Sequence, residues 1–134
     1  MIPYININWK KNNNNKFYLC DESFQEYDGL SLSYEKKCFD LRVKDTENKL
    51  ILIFGHLILK DKIDIDYFLN QFLKINLDNI SVLKECCNKL NGQFLIIILE
   101  KRKNELYMIN DRFNGIPIYY ANFKENLYIS YLYF

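Results

Sequence analysis

His56 is the chain's only histidine, and a side chain that titrates near neutral pH is the first to weigh as a general base. Acid–base catalysis needs a positioned partner, and none stands near it. A polar residue on an otherwise apolar stretch reads as structural. Asp61, Asp64 and Asp66 form an acidic group where a helical pattern begins. The helix dipole stabilises negative charge there, so capping accounts for them better than metal binding. The four cysteines, Cys20, Cys38, Cys86 and Cys87, include no C-x-x-C pair. A zinc site needs ligand spacing that this chain lacks. The expectation is four reduced thiols in a cytoplasmic protein, with no metal and no cofactor bound by this chain. Lys101-Arg102-Lys103 falls between two apolar stretches and reads as a solvated turn. No glycine-rich phosphate loop is present.

The elements that must position these groups follow from periodicity. Ile5, Ile7 and Trp9 alternate with Asn6 and Asn8, as in a half-buried strand. Residues 17–20, 30–34, 39–43 and 50–59 read as further strands, with 10–16 a polar turn and 21–28 irregular. Ile65, Phe68, Leu69, Phe72 and Leu73 then mark one helix face, giving a helix over 64–74 capped by Asp64. Ile80, Leu83, Cys87 and Leu90 mark a second over 79–90, capped by Asp78 or Asn79 and closed by Asn91-Gly92. Strands resume over 94–99, 106–109, 118–121 and 127–133. The order of strands, two helices and strands predicts an α+β fold: two stacked, mainly antiparallel sheets, with both helices on one outer layer.

The chain has 134 residues, 49% of them hydrophobic, which suits a single domain over 1–134 with a dry core. Its net charge of +1 gives no electrostatic case for nucleic acid or an anionic membrane. No apolar run reaches the ~20 residues of a membrane helix. Met1-Ile2-Pro3 opens no signal-peptide pattern. With only four glycines and two prolines, sharp turns must lean on asparagine. The uncharged stretch 127–134 reads as a terminal aromatic strand that favours association.

The C-terminal third carries an ordered series. Asn91, Gly92 and Phe94 precede an apolar strand and a charged turn. Asp111, Arg112, Asn114, Gly115, Pro117, Tyr119 and Tyr120 follow, and the series closes at Ser130. Read from the residues, Asp111 and Arg112 can pair or bond to the loop they open, while Gly115 and Pro117 fix its turn. The series resembles the last part of the class II glutamine amidotransferase domain of asparagine synthetases, in which this segment mainly builds and orients the domain. The family glycine is displaced by one place here, and Asn114 stands where it would be.

The resemblance implies a reduced N-terminal nucleophile hydrolase fold, two antiparallel sheets between helical layers (αββα). It also implies what is missing. The family nucleophile is a cysteine exposed when Met is removed, whereas Ile2 stands here and favours Met retention. The family's Asn-Gly oxyanion pair has its nearest counterpart in Phe54-Gly55, followed by His56. Ile2, Phe54, Gly55 and His56 are therefore candidates for a degenerate pocket, and no residue is assigned a catalytic role. The resemblance implies a catalytically silent glutaminase-like domain supporting an asparagine-synthetase-like, ATP-dependent amide-forming ligase or cyclase, in cis or in trans. ATP and Mg²⁺ are expected only on that partner domain or subunit. The alternative is a scaffold or binding protein that keeps the fold and binds a peptide, metabolite or protein, with a homodimer as another possible assembly.

Overall fold

The structure, a computed structural model, describes residues 4–10, 18–19, 24–27, 29–35, 40–59, 65–111, 116–123 and 126–132. Alternating side chains build the first sheet. In β1 (Tyr4–Lys10) Ile5, Ile7 and Trp9 turn inward, and in β4 (Leu30–Tyr34) Leu30, Leu32 and Tyr34 do the same. Asn6, Asn8, Ser31 and Ser33 take the opposite face. With β2 (Tyr18–Leu19), β3 (Phe24–Tyr27), β9 (Tyr119–Phe123) and β10 (Asn126–Leu132), they form a six-stranded antiparallel sheet ordered β2-β3-β4-β1-β10-β9.

The second sheet is ordered β5-β6-β7-β8, from β5 (Leu41–Asp45), β6 (Lys49–Leu59), β7 (Leu90–Glu100) and β8 (Glu105–Asn110). Its two central strands are apolar on both faces because each face is covered. Leu50, Leu52, Phe54, Leu95, Ile97 and Leu99 join the inward residues of β1, β4 and β10 in one core, so the sheets pack face to face. Ile51, Ile53, Phe94, Ile96 and Ile98 form a second core with the helices.

Both helices lie on that outer layer, as expected. α1 (Ile65–Lys74) buries Phe68, Leu69 and Phe72, with the Phe68 and Phe72 rings edge to face at 4.7 Å. Asp66 sits in its first turn, where the dipole favours it. Lys49 closes the other end: its buried Nζ donates to Phe72 O at 3.2 Å and Ile75 O at 2.6 Å, and pairs with Glu100 at 3.3 Å. α2 (Ile80–Cys87) is capped by Asn79, whose Oδ1 accepts from Val82 N–H at 3.3 Å.

Several expectations are corrected. α2 stops at Cys87; Leu90 opens β7, and Asn91-Gly92 lies within that strand rather than closing the helix. Ile80 is 63% exposed, so its helical spacing does not put it in the core. Part of the stretch read as irregular is β3. The aromatic stretch near the C-terminus is an interior strand, since β10 is flanked by β1 and β9. The basic turn is tied down rather than merely solvated: Lys101 Nζ donates to Thr46 O at 2.7 Å and pairs with Asp45, and Lys103 pairs with Asp78. Asparagine takes the left-handed turn position there, with Asn104 at φ 53°. Asp61, Asp64, Cys20 and Cys38 lie outside the described residues.

Candidate functional site

β6 and β7 pair over their whole lengths, and Gly55 stands opposite Phe94. Gly55 has φ +94°, and its N–H donates to Asp40 O at 3.0 Å. A Cβ at this position would lie 2.2 Å from Gln93 O and 3.1 Å from Ile116 Cδ1, so only glycine fits. Phe94 is bonded in both directions to Asp111, just past the last β7–β8 pair. The Asp111 Oδ1 accepts from Phe94 N–H at 3.3 Å, and Asp111 N–H donates to Phe94 O at 3.2 Å. Asp111 is 4% exposed and Ile116 3% exposed. Gly55, Phe94, Asp111 and Ile116 thus form one knot where the sequence series meets β6.

On the other face of β6, Phe54 is fully buried between the sheets. Its ring meets that of Tyr34 edge to face, with centroids 5.5 Å apart. Burial, with the nearby Asp40 carboxylate adding to it, pushes the Tyr34 phenol above its ordinary value. The phenol therefore stays protonated at neutral pH. No hydrogen-bond donor comes from Phe54, and this part of the inter-sheet space is filled by two rings.

The remaining sequence candidates are spread more widely. Asn91 and Gly92 lie in β7 opposite Ile58 and Leu57, with Gly92 at φ +108°. Pro117 is half-buried, while Tyr119 and Tyr120 are 70% and 67% exposed on β9. Ser130 belongs to the other sheet and faces away from the knot. Its Oγ donates to Asn6 Oδ1 at 2.8 Å. The His56 backbone pairs with Gln93, but its side chain, like Ile2, Arg112, Asn114 and Gly115, lies outside the described residues. Burial raises the Cys86 and Cys87 thiols above their ordinary value, which disfavours thiolate at neutral pH. Among the described residues, no group of three or more His, Cys, Asp or Glu side chains could hold a metal ion, and no helix is long and apolar enough to cross a membrane.

Sequence reasoning missed the Asp40 and Gln93 carbonyls, because backbone groups leave no spacing signal, and it placed Tyr34 on an inward strand position without its contact to Phe54. It also missed a groove of about 370 Å³ on the outer face of the six-stranded sheet. Asn6, Asn8, Ser31, Ser33, Tyr128 and Ser130 line it without a charge. The signal was present: Asn6, Asn8, Ser31 and Ser33, the polar positions of β1 and β4 that line the groove, are small amides and hydroxyls rather than lysine or glutamate.

No curated protein and no solved structure matches the chain. A family profile described as a glutamine amidotransferase domain matches residues 55–131, more than half of the chain. The matched span opens on Gly55, where the packing admits only glycine, and runs through the Phe94–Asp111 bonds into β10; the chain belongs to the glutamine amidotransferase domain family.

Proposed function

We propose that this chain is a catalytically silent glutaminase-like domain of reduced N-terminal nucleophile hydrolase type. In this reading it supports an asparagine-synthetase-like, ATP-dependent amide-forming ligase or cyclase, in cis or in trans. Phe54 carries the proposal. At the place where the resemblance puts the amide donor of an Asn-Gly pair, a fully buried phenyl ring packs on Tyr34. Loss of a single oxyanion donor costs ~10²–10³ in rate, and an apolar ring cannot replace it. ATP and Mg²⁺ belong to the partner, where a carboxylate is activated and an amine captured.

The test is co-expression with an ATP-dependent synthetase encoded in frame with, or beside, this chain, followed by amide synthesis with either free amine or glutamine as the nitrogen source. The expected result is synthesis from the amine, greater with the chain present, and none from glutamine alone. Glutamine-dependent synthesis would overturn the proposal.

The uncharged outer groove favours a second reading, a binding module for a neutral ligand. Titration with small neutral amides and saccharides, followed by amide chemical shifts, would support it if β1, β4 and β10 respond together. Unchanged shifts in those strands would dismiss it.

A further inference from the structure

Among the described residues the two sheets present four edges: β2 and β9 in one, β5 and β8 in the other. Three are guarded against pairing with another chain. β2 is two residues long. β5 carries Arg42, Lys44 and Asp45, two of them exposed. β8 opens on Glu105, and its Tyr107 hydroxyl bonds to Asp78 and Glu105. β9 has neither defence. It is five residues long, Tyr119-Tyr120-Ala121-Asn122-Phe123, with no charge and no proline. Residues 119–122 are all exposed, including Tyr119 at 70% and Tyr120 at 67%.

We propose that β9 is a self-pairing edge that joins two copies of this chain, strand to antiparallel strand, about a twofold axis through Ala121. This is independent of the proposed function. In that register Tyr119 stands opposite Phe123 of the second copy, Tyr120 opposite Asn122, and Ala121 opposite itself. The smallest side chain thus falls where two identical residues must meet. A charge at the central position would face its own like in the symmetric pair, and among the described edges of useful length β9 carries none. The net charge of +1 adds little long-range repulsion. A five-residue edge is small beside the ~800 Å² per partner of a standard interface, so the association is weak and concentration-dependent.

Sedimentation velocity over a rising concentration series, paired with amide hydrogen exchange at each end of the series, tests this. The expected result is a weight-average mass rising from one chain toward two, with slowed exchange confined to β9. Ala121→Lys, at an exposed position, should abolish both effects while the far-UV spectrum stays unchanged. Val43→Lys, on the already charged β5 edge, should leave both intact. A chain that stays monomeric throughout would overturn the proposal, as would association that survives Ala121→Lys. So would β9 protection that arises only when a separate synthetase subunit is added.

Discussion

Gly55 and Asp111 are where single atoms decide the fold. At Gly55, the left-handed φ and the 2.2 Å approach to Gln93 O act together. Gly55→Ala should therefore cost about 2–4 kcal/mol, above the strain of the backbone angle alone, read from chemical denaturation. A loss under about 0.5 kcal/mol would mean that β6 and β7 separate easily there. At Asp111, removal of the carboxylate strands the buried Phe94 N–H. Asp111→Ala should cost about 1–3 kcal/mol and Asp111→Asn less, because an amide oxygen can still accept. Equal losses for the two would show that the carboxylate charge, rather than the acceptor, matters.

Elements are joined by a few polar ties whose strength can be tuned. Lys49 holds the end of α1 and neutralises Glu100 in a nearly dry setting. Lys49→Met should cost about 2–4 kcal/mol, because it leaves both the helix carbonyls and the acid without their cation. A second tie joins the turn before α2 to β8 through Asp78, Lys103 and Tyr107. Hydrogen bonds from Lys103 and Tyr107 lower the Asp78 pKa. The stability it contributes is therefore present above the unfolded carboxylate range and is lost as pH falls through the lower folded value. Tyr107 shifts upward, chiefly through its bond to Glu105, and Lys103 shifts upward through Asp78. Their contribution is present below the unfolded values and lost as pH rises through the folded ones. Exchange of the 76–79 amides should thus be slowest at intermediate pH and faster in acid and strong alkali; a pH-independent profile, after correction for intrinsic exchange, would contradict the tie. Much of this layer was legible beforehand. Alternation gave β1 and β4, a continuous apolar run gave β6, and the Phe68–Phe72 spacing gave α1. The end of α2 was not legible, because Leu90 continues the helical spacing although it begins a strand. The place of β10 was equally hidden, since pairing across 120 residues of sequence leaves no local trace.

At the scale of the whole molecule, the described residues form a sandwich of two sheets, with the helices on one outer side and the uncharged groove on the other. The family series was legible as residues in order, and the structure shows what part of it does: it locks β6, β7 and the start of the 111–118 segment together. Its catalytic silence is the central proposal and belongs to Phe54. Phe54→Asn should destabilise the domain by about 2–4 kcal/mol, because it loses the packing against Tyr34 and buries an unpartnered amide. Retained stability would mean that polar groups are accommodated at that point between the sheets. The most direct measurement is glutamate release from glutamine by the purified chain, with mass spectrometry confirming its N-terminus, beside Ile2→Cys and the double variant Ile2→Cys/Phe54→Asn. The account predicts no release above buffer from the wild type or Ile2→Cys. Release by the wild type would contradict catalytic silence itself, and strong release by Ile2→Cys alone would contradict the assignment of Phe54 to the lost oxyanion donor.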